Sequence, residues 1–177
     1  MTRADAVRNR QLALDATKAL LHDNDTPLTV EAIARRAGVG AATVVRTFGS
    51  KEALIDAAVA QLLEPVVERA RAALTEQDAG AALRDFLRDM IDFQAGLSTV
   101  GPRLTGMDLP ATGARRAELN QAAVGLVVRA VEAGAIRGDF PAPVLTTVIW
   151  ETAYAMSRAA PELAEPYLTI LMDGLRD

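Results

Sequence analysis

The feature that most constrains this chain is a pair of short helical segments separated by only three residues. The first is predicted to run from Val30 to Ala37, with Thr29 as its N-cap. Gly38-Val39-Gly40 interrupts it, and the second segment, Ala41 to Phe48, follows at once. Because such short helices are not stable alone, both must pack on each other and on a further element. The apolar side chains available for this packing are Ile33, Ala37, Val39, Val44 and Phe48.

A longer helix, predicted at residues 3–24, precedes this pair and supplies the further element. Turn-forming residues in the run HDNDTP at 22–27 end it. Two helices joined by a tight turn that contains glycine form a helix-turn-helix unit, and its second helix usually enters the major groove of DNA. Residues 1–49 therefore predict a three-helix DNA-binding domain. One face of the first helix is apolar at helical spacing, through Ala13, Ala16, Thr17 and Leu20.

The remaining residues, 50–177, predict a second helical domain. Alanine, the residue with the highest helix propensity, accounts for 35 of the 177 residues, and no stretch has a convincing strand pattern. Pro65 either kinks or divides the first helix of this domain. We predict an all-α chain of about nine helices. The predicted helical segments of the second domain are 50–75, 79–97, 114–133, 143–159 and about 162–175.

Composition excludes several classes of function. The chain has no cysteine and one histidine, His22, which excludes thiolate metal sites and argues against a multi-histidine metal site or a Ser-His triad. No nucleophile–base pair, glycine-rich phosphate loop or buried acid is evident, so we expect no enzyme activity and no cofactor. No apolar run reaches the roughly 18 residues of a membrane span, and the first residues lack the apolar stretch of a signal peptide. We therefore expect a cytoplasmic protein.

Charge is distributed unevenly along the chain. Residues 1–51 carry eight basic and five acidic side chains, whereas residues 52–177 carry 11 basic and 18 acidic ones. A basic end on an acidic body favours binding of a polyanion by the first part alone. Chance clustering would give the same asymmetry, because the acidic side chains of the first part are interspersed among the basic ones.

The run TVEAIARRAGVGAATVVRTFGSKEAL at residues 29–54 resembles the DNA-binding segment of TetR-family transcriptional repressors. This resemblance covers about the first third of the chain. It implies a homodimer on an inverted-repeat operator, a small-molecule pocket in each helical body, and release from double-stranded DNA when the effector binds. By the same resemblance, residues 50–177 form the ligand-binding and dimerisation domain. The matching features are Thr29, Ile33-Ala34, Ala37-Gly38-Val39, Thr43, Phe48 and the run SKEAL at 50–54.

Several side chains of this segment suit contacts with DNA. Lys51, in the first turn of a helix, suits a phosphate contact, and Thr29 and Thr43 offer hydroxyl groups. Arg46 is the only long donor on the second short helix and is our candidate for a bidentate contact with guanine. A solvated Lys51 and an intramolecularly paired Arg46 are the alternatives. Methyl groups that suit thymine come from Ala41, Ala42, Val45 and Thr47.

Three arginines of the first helix, Arg3, Arg8 and Arg10, are further candidates for phosphate or, on a flexible arm, for the minor groove. The second short helix departs from the family pattern, because members often carry aromatic residues at the positions of Val45 and Thr47. The operator is therefore not transferable from a relative.

The helical body contains the candidate effector pocket. Ligand pockets are mostly apolar with a few polar groups, and each candidate residue could instead simply fill the core. We expect an uncharged or weakly polar effector. The candidate lining residues are Phe86, Met90, Phe93, Gln94, Leu97, Met107, Leu126, Trp150 and Tyr154.

The last two helices carry more apolar surface than one small body needs. By resemblance they pair with the same helices of a second copy in a four-helix interface. The alternative function is a helical small-molecule-binding or scaffolding protein whose DNA-binding head is degenerate, and salt-dependent DNA binding separates the two. The candidate interface residues are Val148, Thr152, Ala155, Ala159, Tyr167, Ile170 and Leu171.

Overall fold

The computed structural model describes residues 2–176, and this part of the chain contains only helices, turns and loops. The predicted all-α class is confirmed, with eight α-helices where about nine helices were expected. Residues 101–104 and 161–163 form short 3-10 segments instead of further α-helices. The α-helices are α1 (Arg3–Leu21), α2 (Val30–Ala37), α3 (Ala41–Phe48), α4 (Lys51–Ala73), α5 (Ala79–Gly96), α6 (Pro110–Glu132), α7 (Ala142–Ala159) and α8 (Ala164–Gly174).

The helix ends in the first part of the chain have the caps that the sequence predicts. The Thr29 side chain accepts a hydrogen bond from the backbone amide of Ala32 at 3.2 Å, which caps α2. Gly38 ends α2 in the left-handed conformation, with φ of 68°, which glycine adopts at no steric cost. The Ser50 hydroxyl caps α4 by accepting from the amide of Ala53 at 3.0 Å. These caps fix the short α2–α3 pair between two longer helices.

Packing divides the chain into two compact units. The first consists of Met1–Glu64 together with Thr99–Arg115, and the second consists of Pro65–Ser98 together with Arg116–Asp177. The predicted division between residues 49 and 50 separates DNA reading from effector binding, and it stays a prediction. Helix α4 continues through Pro65, so the proline does not divide it.

Each unit has its own apolar core. In the first unit, Leu14, Ile33 and Leu54 are almost completely buried. In the second, Phe86 of α5 stacks on Trp150 of α7 with ring centroids 6.4 Å apart, and Leu126 of α6 is fully buried. Within residues 2–176, none of the helices has the length and apolar character that crossing a membrane requires.

Candidate DNA-binding interface

Helix α3 has one face in the core and one face open to solvent. Val44 is 2% exposed and Phe48 is half-buried, which fixes the helix on α1 and α2. Ala42, Arg46 and Thr47 are exposed, and Val45 is 47% exposed. The small side chains leave the backbone of this face accessible, as the close approach of a helix to a groove requires.

Arg46 is the long donor of this face. Among the described residues it forms no ion pair or hydrogen bond, so the intramolecular pair that the sequence left open is not formed there. Its guanidinium group carries the fork of donors that suits a guanine edge or a phosphate. The base contact itself stays a prediction.

The threonines of this region use their hydroxyl groups differently. The Thr47 hydroxyl donates to the backbone carbonyl of Thr43 at 2.7 Å, which occupies its proton and leaves its methyl group as the distinctive feature toward solvent. The Thr29 hydroxyl accepts from Ala32, so its own proton remains available to a phosphate oxygen. Thr43 and Ala41 are half-buried, whereas Thr29 is exposed.

Lys51 begins α4 beside this face. Its ammonium lies 3.6 Å from the carboxylate of Glu52, and its side chain is 37% exposed. A surface pair at this distance contributes little, about 0–1 kcal/mol, so it holds Lys51 only weakly. The lysine and the first-turn amides of α4 together form a positive end that favours an anion.

The arginines of α1 lie on a regular helix and not on a flexible arm. The helix begins at Arg3, and a capping box formed by Thr2 and Asp5 closes its first turn. The guanidinium of Arg10 lies 4.7 Å from the centre of the Phe48 ring, an interaction that sequence reasoning missed. Arg10 therefore fixes the end of α3 against α1.

Asp56 is the buried acid that the sequence did not reveal. It lies on α4 with 6% of its surface exposed, where we had expected no buried acid. Its carboxylate accepts hydrogen bonds at 2.8 Å from the backbone amides of Ala111 and Thr112 and from the Thr112 hydroxyl. Burial alone would raise the pKa of Asp56, but these hydrogen bonds together lower it. The only sequence signal is an acid between apolar neighbours on α4.

The candidate pocket residues do not all lie in one unit. Met107 is half-buried in the first unit, and the others belong to the second. Among the latter, Gln94 is already engaged, since its amide oxygen accepts from the Ser157 hydroxyl at 3.3 Å. Tyr154 is 43% exposed, and its ring lies under the guanidinium of Arg158. The pocket stays a prediction. The remaining candidates are buried (Phe86, Met90, Leu126) or half-buried (Phe93, Leu97, Trp150).

The second unit also has a surface cleft of about 640 Å³ that involves none of these residues. It lies where the start of α5, the loop after α6 and the end of α8 meet. Its lining is largely charged, unlike the apolar pocket that the sequence predicts, and includes Asp78, Arg84, Asp173 and Arg176.

The candidate dimer face on α7 and α8 is open in the single chain. Val148 is 53% exposed and Ile170 is 74% exposed. The Tyr167 and Thr152 hydroxyl groups are 2.7 Å apart and join the two helices at this face. Exposed apolar side chains grouped in this way are typical of an association surface. Thr152, Ala155 and Ala159 are also exposed, and Tyr167 and Leu171 are half-buried.

Acidic side chains and the single histidine do not cluster. Over the described range 2–176, no group of three or more His, Asp or Glu side chains could hold a metal ion.

Comparison with known proteins gives the following matches. The family model for bacterial regulatory proteins of the tetR family matches residues 13–58, and the model for the C-terminal domain of SbtR-like transcriptional regulators matches residues 78–177. The structure of a TetR transcription regulatory protein from Mycobacterium vanbaalenii is 31% identical, with a TM-score of 0.70 and 99% of each chain covered.

Two further structures extend the comparison. A TetR transcriptional regulator from Streptomyces coelicolor is 30% identical, with a TM-score of 0.66, and the match covers 94% of this chain and 98% of that one. FadR from Bacillus subtilis, solved in complex with stearoyl-CoA, has a TM-score of 0.76 at 16% identity, with 94% and 99% covered, and this likeness shows the fold alone. The search of curated proteins gave no match.

Proposed function

This chain belongs to the TetR family of bacterial transcriptional regulators, and we propose that it is a repressor that a small-molecule effector releases from DNA. The observation that carries the proposal is the exposed face of α3, where the unpaired Arg46 lies among small side chains. Such a face can enter the major groove without steric conflict and present one strong donor to base edges.

Affinity and specificity have separate sources in this proposal. Lys51, Thr29 and Thr43 bind phosphate groups and set the position of the head on the duplex. Arg46 reads one guanine in each half-site, and the methyl groups of Ala42, Val45 and Thr47 contact thymine. The half-buried Ala41 sets the distance at which α3 approaches the groove.

We propose a homodimer formed by α7 and α8. Val148 and Ile170 are exposed apolar residues that pairing with a second copy would cover, and the exposed Ala155 and Ala159 permit close approach of the helices. A two-fold dimer presents its two recognition helices about 34 Å apart, so the operator is an inverted repeat. Its solution mass is twice the 18.8 kDa of one chain.

The proposed effector is a small, largely apolar molecule held by the body. Support comes from the apolar character of the candidate residues and from the match to the SbtR-like C-terminal domain. Stearoyl-CoA, the ligand of the structurally similar FadR, makes acyl thioesters a sensible first group to test. The protein acts in the cytoplasm, where genomic DNA is found.

One observation favours the alternative of a helical binding protein with a degenerate head. The open face of α3 has a single long donor, Arg46, and residues 2–176 place no aromatic side chain on that face. Such a helix has fewer means of reading bases than a larger and more polar one.

Selection of bound fragments from genomic DNA at two salt concentrations tests the proposal. Enrichment of an inverted repeat, with weaker binding at the higher salt, is expected because phosphate contacts release counterions. Arg46→Ala, which leaves the core untouched, is the matched control and should lose the enrichment at one position per half-site. Weak, uniform retention of DNA by the natural chain would support the alternative instead.

A further inference from the structure

Residues 99–115 belong to one unit by packing and to the other by chain connection. They follow α5 and continue into α6, both of which lie in the second unit outside this stretch. The segment itself packs within the first unit, with the helices that carry the DNA-binding face. We call residues 99–115 the strap. Any displacement of α5 or α6 must reach the strap, because the chain is continuous at both of its ends.

The first fastening of the strap is an N-cap supplied from another helix. Helix α6 begins at Pro110, and the preceding Leu109 has no side-chain oxygen to cap it. Pro110 has no amide proton, so the first free donors are the amides of Ala111 and Thr112, the positions that a capping side chain normally serves. Asp56 of α4 accepts from both at 2.8 Å and also from the Thr112 hydroxyl.

This fastening is specific because it is buried. Thr112 is 1% exposed and Asp56 is 6% exposed, so water cannot readily replace the carboxylate as the acceptor. Moving α6 away from α4 would leave two amides and one carboxylate without partners in a dry environment, which costs free energy. The cap therefore favours one discrete arrangement of the strap.

The second fastening holds the loop that precedes the recognition unit. The Arg103 guanidinium donates to the backbone carbonyls of Asp23 and Thr26, to the latter at 2.8 Å. The loop is itself braced, since the Asp23 carboxylate accepts from the Thr26 hydroxyl at 2.8 Å and from the amide of Asp25 at 3.1 Å. Three residues after Thr26, Thr29 caps α2. Arg103 is thus tied to the entry of the helix-turn-helix unit.

We propose that the strap, fastened by Asp56 and Arg103, is the element that couples the state of the body to the position of the DNA-reading helices. This inference rests on the proposed function. Asp56 and Arg103 are positioning residues and touch neither DNA nor effector. Coupling between two sites needs an element with discrete arrangements that both sites bias, and it acts equally in both directions. Binding of DNA to the head must therefore be felt in the body through the same two fastenings.

Hydrogen exchange with operator DNA as the probe tests this coupling. The probe is a duplex that carries the inverted repeat recovered by the selection above. In the natural full-length chain, the duplex should slow amide exchange in α2 and α3, and also in the strap and in residues 116–132 of α6. In Asp56→Ala and Arg103→Ala, the same duplex should bind within threefold of the natural affinity, while the slowing in 116–132 falls at least fivefold.

Matched controls exist on the same helices. Glu68→Ala removes an exposed carboxylate from α4, and Arg116→Ala removes an exposed arginine from α6. Both should transmit the slowing as the natural chain does. If Asp56→Ala does not fold, Thr112→Val provides a milder change that deletes the hydroxyl bond and keeps both amide bonds, and it should give a smaller loss of transmission.

The outcomes separate the inference from the proposed function. Slowing in 116–132 that is unchanged in the folded fastening variants overturns the strap as the coupling element, and so does slowing confined to the head of the natural chain. The proposed repressor survives both results, because DNA still binds. A natural chain that recovers and binds no duplex overturns the proposed function, and the coupling with it.

Discussion

The α2–α3 pair and the strap belong to the same compact unit but are held in place by opposite means. Helices α2 and α3 depend on local signals, since each cap or turn lies within a few residues of the helix end that it closes. The strap depends on polar contacts that join residues 55–80 positions apart in the chain. The comparison teaches that the reading surface is specified locally, whereas its connection to the rest of the chain is specified by distant pairs.

The largest expected effect concerns the packing that supports the local signals. Ile33 of α2 is completely buried in the core of the first unit. Ile33→Ala removes buried methyl groups and leaves a cavity, so the free energy of unfolding should fall by about 2–5 kcal/mol. Chemical denaturation measures this change. Val7→Ala, at a side chain that is 64% exposed, is the control and should change the unfolding free energy by less than about 0.5 kcal/mol. Equal losses in both variants would mean that Ile33 does not support the head.

The second effect addresses the distant pair and depends on pH. Asp56→Ala leaves the amides of Ala111 and Thr112 without their acceptor, which should lower the unfolding free energy at pH 7 by about 1–3 kcal/mol. The pKa of Asp56 is lowered in the folded chain, against about 3.9 for an unfolded aspartate. Its stabilisation is therefore complete above the unfolded pKa and is lost as the pH falls through the folded pKa.

Denaturation at pH 7 and at about pH 3 measures this dependence. The difference between the natural chain and Asp56→Ala should shrink in acid, whereas Glu68→Ala should show little difference at either pH. A gap between the natural chain and Asp56→Ala that is the same at both values would mean that the charge of Asp56 has no role in the cap.

How far the sequence predicts this molecule follows from the same comparison. The bounds of α2 and α3 agree with the prediction because Thr29, Gly38 and Gly49 act on their immediate neighbours. The strap was predicted as a loop with one short helical turn, which the 3-10 segment at 101–104 confirms. Its fastenings were not predictable, since nothing near Asp56 in the chain identifies Thr112 as its partner.

The candidate pocket shows the same limit in the second unit. Helical spacing predicts which side chains of α5 face inward, and Phe86 and Met90 are buried. The same spacing cannot distinguish a core residue from a pocket residue, because both are apolar and inward. It also gave no sign that Met107 packs in a different unit from the other candidates.

A third prediction asks whether the local reading surface alone determines specificity. Arg46→Ala should weaken binding to the selected operator by about 1–3 kcal/mol and relax the preference at one base pair per half-site. Because Arg46 is exposed and forms no contact among the described residues, stability should not change. Repeating the selection with the variant measures the preference. An unchanged preference would place base recognition elsewhere on the chain.

The smallest expected effect separates phosphate binding from base reading, and the two lysines of the chain make it a matched test. Lys51 begins α4 and holds Glu52 only at 3.6 Å, whereas Lys18 of α1 forms an ion pair with Asp15 at 2.7 Å. Lys51→Ala should weaken binding to every DNA sequence alike and lower the slope of log affinity against log salt by about one, because one fewer phosphate is neutralised. Lys18→Ala removes the same charge and should leave the slope unchanged. A salt titration with both variants decides the matter: equal slopes for the two would mean that α4 contributes no phosphate contact, and the local reading surface would then end at α3.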